Sequence, residues 1–244
     1  VTSSSELVMT ERIAWLDNQW GTVDNLKIPI SDRGLNLGDG VFETILILNG
    51  QPKLLKEHLR RWKHSSKLLG MEEPPQKAWL NPLIEEAIDR SCLLSSNGIL
   101  RLNWSRGSSK NRGISIEDTN ITTTNYRFWL EVTKAEPSFK TISTIISQLE
   151  KRNAKSRLSQ CKSFNYAQAI QARQEARMKG VDDALLENTN GDICCGTTAN
   201  LIVKRHGQWL TPSLSSGCLP GVMRQQGINL GIIKEEERIG KLTS

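Results

Sequence analysis

Several features of nucleic-acid-binding, membrane and metal proteins are scarce or missing in this sequence. Aromatic residues make up only 5% of its 244 residues, and the net charge of +6 is dispersed, with no run of five or six basic residues. Nucleic-acid surfaces use basic clusters and stacking aromatics. No apolar run is long enough to span a membrane, and the three histidines lack metal-ligand spacing. We therefore expect no nucleic acid, membrane or metal partner.

The cysteines also lack a pattern. They are odd in number, form no C-x-x-C pair and follow no secretory segment, which predicts reduced thiols in a cytoplasmic protein. An apolar content of 37% over this length suits one or two globular domains with real cores. The cysteines are Cys92, Cys161, Cys194, Cys195 and Cys218.

Turn signals and alternating apolar residues organise the first half of the chain. Asp17-Asn18 predicts a hairpin turn within 12–30, and Asn49-Gly50 predicts another after a strand at 41–48. Residues 31–40 are interpreted as a loop. Helical spacing predicts helices at 55–69 and 77–94, and a period of two predicts strands at 100–104 and 126–132, joined by a basic loop at 105–113.

Glu136-Pro137-Ser138 breaks the alternation, so we predict domains at 1–135 and 136–244. Both domains are predicted to contain strands and helices, and we expect an α/β protein of the α+β type. In the second domain we predict a strand at 141–147, a basic loop at 151–157, and helices at 165–179 and from 221. We also predict two strands that flank a turn at Asn190-Gly191, the second with its core at 200–204.

Four segments, in order, resemble one family. The sequence Ser-Asp-Arg-Gly-Leu-Asn-Leu-Gly-Asp-Gly-Val-Phe-Glu-Thr at 31–44 resembles the N-terminal signature of the class IV aminotransferases, the fold-type IV pyridoxal-phosphate (PLP) enzymes. The other three are similar to the family's H-x-x-R helix, its K-x-x-N segment, and the strand and helix start that cradle the cofactor. They lie at 58–61, 162–165, and 196–200 with 221–224.

The resemblance implies a two-domain architecture like that of D-amino-acid aminotransferase, with a smaller N-terminal α/β domain, a C-terminal cofactor-binding domain and a homodimeric assembly. It implies PLP as the cofactor and Lys162 as its Schiff-base residue and the catalytic base, a role that needs a neutral amine. It places the phosphate on Arg61, whose guanidinium can bind bidentately. The start of the last helix would add backbone N–H groups to the phosphate site, through Gly221, Val222 and Met223.

Within the family, residues 105–113 look most like the aminodeoxychorismate lyases, which split 4-amino-4-deoxychorismate into 4-aminobenzoate and pyruvate for folate synthesis. Arg106 and Arg112 could then clamp the two substrate carboxylates, or could be ordinary solvated charges. An aminotransferase for branched-chain or D-amino acids is the alternative, because those enzymes share the scaffold. In each case the partner is a small molecule.

Two departures from the family pattern stand out. Five residues before Asn200, where the family carries the glutamate that pairs with the pyridine nitrogen, this chain has Cys195. Either the ring stays unprotonated, or another residue reaches the nitrogen, or the protein is a catalytically degenerate homologue. In addition, Ser244 comes soon after the last helix, where family members usually continue with a strand and loop that complete the phosphate site. Either that piece is absent from the protein, or it is not included in this chain.

Overall fold

The computed structural model describes residues 12–109, 113–116 and 126–239. The chain divides into two compact units. The first consists of Val1–Leu59 and Pro74–Ser138, and the second of Arg60–Glu73 and Phe139–Ser244. The second unit thus recruits a segment that precedes the predicted boundary at residue 136. The assignment of cofactor binding to the C-terminal domain remains a prediction.

The first unit contains a six-stranded antiparallel sheet in the order β2-β1-β6-β5-β3-β4. Its strands are β1 (Ile13–Leu16), β2 (Gln19–Thr22), β3 (Gly40–Leu48), β4 (Gln51–Pro52), β5 (Gly98–Ser105) and β6 (Arg127–Lys134). In β5 and β6 the predicted alternation is confirmed on one face, where Leu100, Leu102, Leu130 and Val132 are fully buried. These side chains form the sheet's core face.

Both predicted hairpin turns in this unit are present. Asp17 and Asn18 join β1 to β2 with φ of 47° and 63°, and Asn49 and Gly50 join β3 to β4 with φ of 48° and 70°. Two consecutive left-handed residues give the turn whose twist matches antiparallel strands. The first hairpin is shorter than predicted, since β2 ends at Thr22.

The predicted loop at 31–40 contains a short helix, α1 (Arg33–Leu37). Asp32 begins it by accepting a hydrogen bond from Gly34 N, and Gly38 ends it with φ of 66°. We missed α1 because its five residues carry no apolar periodicity, although an aspartate before it and a glycine after it are helix-cap signals.

Two longer helices confirm the predicted periodic segments, α2 (Leu55–Leu68) and α3 (Lys77–Arg90). Gly70 follows α2 with φ of 60°, as expected of a helix stop. Early in α2, His58 Nδ1 lies 2.7 Å from Oε2 of the fully buried Glu43. Two of the recognised segments therefore meet in a structural contact.

The second unit holds two three-stranded sheets, β7-β8-β9 and β10-β11-β12. Its strands are β7 (Thr144–Arg152), β8 (Asp183–Asn188), β9 (Ile193–Gly196), β10 (Val203–Arg205), β11 (Gln208–Pro212) and β12 (Ile233–Glu236), and its helices are α4 (Arg157–Gln160), α5 (Ala167–Met178) and α6 (Val222–Asn229). Strands β7 and β8 are parallel and β8 and β9 antiparallel. A small buried core lies between α5 and this sheet, formed by Ala172, Ala176, Ala184, Leu186, Cys194, Cys195 and Cys218.

Two strand predictions for this unit were wrong in extent. Strand β7 starts at Thr144 and runs to Arg152, into the segment interpreted as a basic loop. The strand expected at 200–204 is instead β10, which begins at Val203, and the partner of β8 is β9. Period-two patterns failed here because both β7 and β9 contain register irregularities.

The irregularity in β7 is stabilised by a buried carboxylate. Glu175 of α5 accepts hydrogen bonds from Ser147 Oγ at 2.6 Å and from the backbone N of Gln148 at 3.1 Å. These bonds lower the pKa of Glu175 to about 2, with the Ser147 bond contributing most. Within the described residues, no helix is long and apolar enough to cross a membrane.

Candidate active site

Lys162 lies in the short connection between α4 and α5. Its backbone N donates to Ser65 Oγ at 3.2 Å, and the neighbouring Cys161 Sγ contacts Ser65 O at 3.6 Å. Ser65 is fully buried in α2. The backbone that carries Lys162 is therefore anchored on a helix, while the side chain itself is half-buried.

The amine of Lys162 has a defined neighbour. Lys162 Nζ donates to the Tyr166 hydroxyl at 3.2 Å. Tyr166 stands four residues later, at the N-cap of α5, and the non-helical backbone between the two residues brings its hydroxyl to Nζ. The hydroxyl can both accept from an ammonium and donate to a neutral amine, so it holds Nζ in either protonation state.

Arg61 lies near the start of α6. Its Nη1 donates to Pro220 O at 3.4 Å, one residue before Gly221, the N-cap of α6. The first N–H groups of a helix lack intrahelical partners and attract anions. In α6 these groups belong to Val222, which is buried, and Met223, whose side chain is exposed. A guanidinium and a helix start thus converge on one location.

The turn into α6 is held by Asn200. Asn200 Nδ2 donates to Leu219 O at 2.7 Å, and a Cβ on Gly221 would collide with Asn200 Oδ1. Only a glycine lets the backbone approach this amide so closely. Asn200 and Gly221 therefore act together in setting the position of the helix start.

Cys195 forms part of the wall of a pocket of about 580 Å³, counted to its open mouth, within the second unit. The pocket is lined by residues from the α4–α5 connection, β8, β9 and the segment before α6. They include Arg152, Cys161, Asn165, Tyr166, Cys195, Thr197, Asn200 and Leu219. Cys195 thus shares one pocket with Tyr166, the partner of Lys162, and with Asn200, the partner of Leu219.

The thiols near this pocket differ in their electrostatics. Burial raises the pKa of Cys161 to about 11, so its thiol is neutral and unreactive near neutral pH. Cys194 and Cys195 are hydrogen-bonded to each other, with Sγ atoms 3.5 Å apart. The bond from Cys194 lowers the pKa of Cys195, as does the charge of Arg152, while the same bond and burial raise the pKa of Cys194.

A charged brace supports the segment after β9. Asp183 Oδ1 lies 2.8 Å from Arg173 Nε and accepts from Thr197 Oγ1 at 2.6 Å. Arg173 also donates to Thr197 Oγ1. The brace connects α5 and β8 to the turn that follows Gly196, and so fixes the backbone beside Cys195.

Of the two arginines predicted to bind substrate, Arg106 lies among the described residues and has defined partners. Arg106 belongs to the first unit, where its Nε is 2.9 Å from Asp39 Oδ2 and its Nη1 donates to the Tyr126 hydroxyl at 3.1 Å. Asp39 also pairs with Arg33 at 2.8 Å. Arg106 is therefore an ordered partner in a buried ion cluster and not a solvated loop charge. Arg112 lies outside the described residues.

Comparison with known proteins decides the family. The profile of the amino-transferase class IV family matches residues 40–241. The chain belongs to the class IV aminotransferases. These enzymes are PLP-dependent, so the predicted fold, cofactor and enzyme class are confirmed.

Relatives in the family carry different activities. A Schizosaccharomyces pombe protein provisionally named an aminodeoxychorismate lyase is 30% identical over 81% of this chain and 77% of its own length. A Methanocaldococcus jannaschii protein provisionally named a branched-chain-amino-acid aminotransferase is 27% identical over 91% and 75%. A Legionella pneumophila structure, provisionally a 4-amino-4-deoxychorismate lyase, has a TM-score of 0.77 at 25% identity, covering 88% of this chain and 78% of that one.

The residues of the second unit fit most of what PLP requires. The amine of Lys162, hydrogen-bonded to a tyrosine hydroxyl, suits the aldehyde of PLP. The guanidinium of Arg61 lies beside the start of α6, whose preceding turn is held by Asn200, and this arrangement suits the phosphate. At the position where the family pattern has the glutamate for the ring nitrogen, the chain has Cys195, whose thiol lies in the pocket wall. Glu187 does not take that place, because its carboxylate pairs with Lys151 at 3.0 Å.

Sequence reasoning gave no role to two residues that the structure brings to the pocket. No helical spacing links Tyr166 to Lys162, because residues 162–166 precede α5 and are not helical. Arg152 was interpreted as a loop charge, yet it ends β7 and lines the pocket. No local signal distinguishes Arg152 from its basic neighbours, because its position follows from the pairing of β7 with β8.

Proposed function

We propose that this protein is a PLP-dependent lyase that converts 4-amino-4-deoxychorismate into 4-aminobenzoate and pyruvate. The observation that carries the proposal is the 30% identity, over 81% of this chain, to the Schizosaccharomyces pombe protein provisionally named an aminodeoxychorismate lyase. When bound, PLP withdraws electrons from the carbon next to the substrate amine.

Lys162 is the proposed catalytic base in this reaction. Its amine would remove the proton from the substrate carbon that bears the amino group and return a proton later in the cycle. Tyr166 keeps Nζ in place through its hydroxyl, 3.2 Å away. The bond from the backbone N of Lys162 to the buried Ser65 fixes the point from which the side chain extends.

Arg61 and the start of α6 are the proposed phosphate anchor. Arg61 supplies the full positive charge, and the backbone N–H groups of Val222 and Met223 add partial charge and direction. Gly221 and Asn200 set the turn on which this anchor depends.

Arg106 and Arg112 remain the proposed carboxylate ligands. Arg106 shares one carboxylate, Asp39, with Arg33, so the three side chains keep a net charge of one positive unit. A dianionic substrate is attracted to such an excess, and the contacts of Arg106 with Asp39 and Tyr126 pre-orient its guanidinium.

Absorbance tests the cofactor role of Lys162. Purified protein mixed with PLP is expected to gain a band near visible wavelengths that survives gel filtration. Lys162→Ala should lose this band, whereas Lys155→Ala, which alters an exposed lysine of the same segment, should keep it. Absence of the band in the wild type would overturn the proposal.

The second candidate function is an aminotransferase, which is favoured by the identity to the Methanocaldococcus jannaschii protein. Product analysis separates it from the lyase. The lyase releases pyruvate from 4-amino-4-deoxychorismate with no keto-acid added. An aminotransferase acts on branched-chain or D-amino acids only when a keto-acid acceptor is present. If neither reaction occurs, and Cys195→Glu changes neither PLP affinity nor turnover, the protein is a degenerate homologue.

Two further parts of the proposal concern the setting of the enzyme. We infer a homodimer from the family resemblance, and sedimentation at micromolar concentration tests it. We infer a reducing, cytoplasmic setting from the five free cysteines, of which four are buried.

A further inference from the structure

Strand β9 presents two adjacent thiols on the same side. In a regular strand, successive side chains point to opposite faces. Here Leu186 of β8 pairs with Cys195, and the next residue, Glu187, pairs with Ile193. Cys194 is the extra residue of a β-bulge, which redirects its side chain. The two Sγ atoms consequently lie 3.5 Å apart.

The two thiols have different surroundings. Both belong to the core formed with α5, but Cys194 is fully buried, whereas Cys195 also lines the pocket. Cys194 Sγ donates to Cys195 Sγ. The buried thiol therefore acts as the donor and the pocket thiol as the acceptor, an arrangement that stabilises negative charge on the acceptor.

One charged group near the pair, the Arg152 guanidinium, also favours negative charge on Cys195. Arg152, at the end of β7, lines the pocket with Cys195, and its Nη2 donates to Ser159 O at 2.8 Å. Within the described residues its buried Nε has no hydrogen-bond partner, so one of its N–H donors is unsatisfied.

Two other titratable groups face the pair. Asp183 of β8 disfavours an anion at Cys195, but its carboxylate is already paired with Arg173. The third thiol of the cluster, Cys218, is buried, and burial raises its pKa. Cys195 is therefore the thiol of this cluster that ionises first.

We propose that Cys195 is a thiolate that supplies the negative charge for the ring nitrogen of the bound cofactor, with Cys194 as its positioning residue. The proposal rests on PLP binding in this pocket and replaces the expectation of a neutral thiol there. A thiolate provides the charge that the family obtains from a glutamate, so the site keeps an anionic partner without a carboxylate.

Alkylation tests the thiolate without relying on activity. Iodoacetamide reacts with thiolates, and peptide mass spectrometry reports the modification of Cys195 separately from that of exposed Cys92. In the protein without PLP, Cys195 should reach half-maximal reactivity below the ordinary thiol value of about 8.5. A midpoint at or above that value would overturn the proposal.

Variants of Cys194 test its role as donor. Cys194→Ala removes the donor and should slow alkylation of Cys195 at pH 7 by about tenfold, the effect of raising its pKa by roughly one unit. Cys194→Ser keeps an O–H donor and should restore most of the reactivity. Equal profiles for the alanine and serine variants would show that Cys194 only fills space and would contradict the donor role.

Substitutions at Arg152 give a second test that still applies if the substitutions at the buried Cys194 impair folding. Arg152→Gln should also slow alkylation of Cys195 at pH 7, whereas Arg152→Lys should keep it near the wild-type rate. If Cys195 in Arg152→Gln is alkylated as fast as in the wild type, the Arg152 guanidinium does not stabilise the thiolate.

PLP protection separates this proposal from the proposed function. Bound PLP should block alkylation of Cys195 and leave Cys92 unaffected. If PLP binds and Cys195 titrates as an ordinary thiol, the thiolate proposal fails and the cofactor role stands. If Cys195 is a reactive thiolate and PLP does not bind, the proposed function fails and the thiol pair remains.

Discussion

Tyr166 is the side chain on which the position of the Lys162 amine depends most directly. The hydroxyl is 3.2 Å from Nζ, and a proton-transfer group must be within hydrogen-bond distance of its target to act. Tyr166→Phe keeps the ring and removes the hydroxyl. We expect kcat to fall about tenfold or more with PLP content unchanged, measured by pyruvate release and absorbance.

The comparison variant is Tyr166→Ala, which also removes a pocket wall. It should lower PLP affinity as well as kcat. If Tyr166→Phe turns over as fast as the wild type, the hydroxyl does not position the amine.

At the scale of an element, Gly221 sets the start of helix α6, and replacing it tests that role. In Gly221→Ala, the new Cβ would collide with Asn200 Oδ1 and displace the amide from Leu219 O. We expect a loss of about 1–3 kcal/mol in stability and weaker PLP binding, measured by urea unfolding and cofactor titration.

Asn200→Ala provides the matched partner in a double-mutant cycle. With the amide already absent, Gly221→Ala should cost much less than it does in the wild type, because the collision is gone. Additive costs would mean that the two residues act independently and that the turn into α6 is set by other contacts.

The bulged strand β7 predicts a pH dependence. The pKa of Glu175 is lowered to about 2 by its bonds to Ser147 and Gln148. A carboxyl with a lowered pKa stabilises the fold above its unfolded value and loses that contribution as pH falls through the folded value. Wild-type stability should therefore fall between about pH 5 and pH 2.

Glu175→Gln is the control for this effect. It keeps one oxygen acceptor but cannot ionise, so its stability should be lower than that of the wild type at pH 7 and should change less between pH 5 and pH 2. Urea unfolding at several pH values gives both quantities. Parallel curves for the two proteins would contradict a role for the Glu175 charge.

How well the sequence predicted each element depended on whether its signal was local. Turns such as Asn49-Gly50 and helices with a regular apolar stripe were correct, because a few consecutive residues determine them. Strand β9 was misplaced and the chemistry at Cys194 was missed. A bulge follows from pairing with a partner strand, and its extra residue defeats any fixed period.

The candidate site was predictable to a similar degree. Lys162 and Arg61 were identified through resemblance, and their roles remain proposals. Arg106 was expected either in solvent or on substrate, and its pairing with Asp39 is a long-range contact between residues 67 positions apart. Spacing in sequence carries no information on such a contact.

At the scale of the whole molecule, the second unit depends on a segment from the first half of the chain. Arg60–Glu73 supplies Ser65, which anchors Lys162, and Arg61, the proposed phosphate ligand. A fragment of residues 139–244 alone should therefore show no cooperative unfolding and no PLP band. Circular dichroism during urea titration and absorbance would measure these properties.

The corresponding control is the same fragment joined to residues 60–73 by a flexible linker. Restoring the segment should recover part of the cooperativity, since it returns the partners of Cys161 and Lys162. If the bare fragment folds and binds PLP equally well, the segment is dispensable, and the boundary near residue 136 separates independent domains.

The bulge in β9 also affects how this chain can be aligned with its relatives. The extra residue of the bulge, Cys194, changes the spacing between the two ends of the strand. Counting forward from Ile193 and counting back from Asn200 therefore place different cysteines at the same position of a regular strand. A single-codon insertion is enough to create such an offset. Descent by insertion would thus supply a second thiol beside the first while leaving the partner strand β8 unaltered.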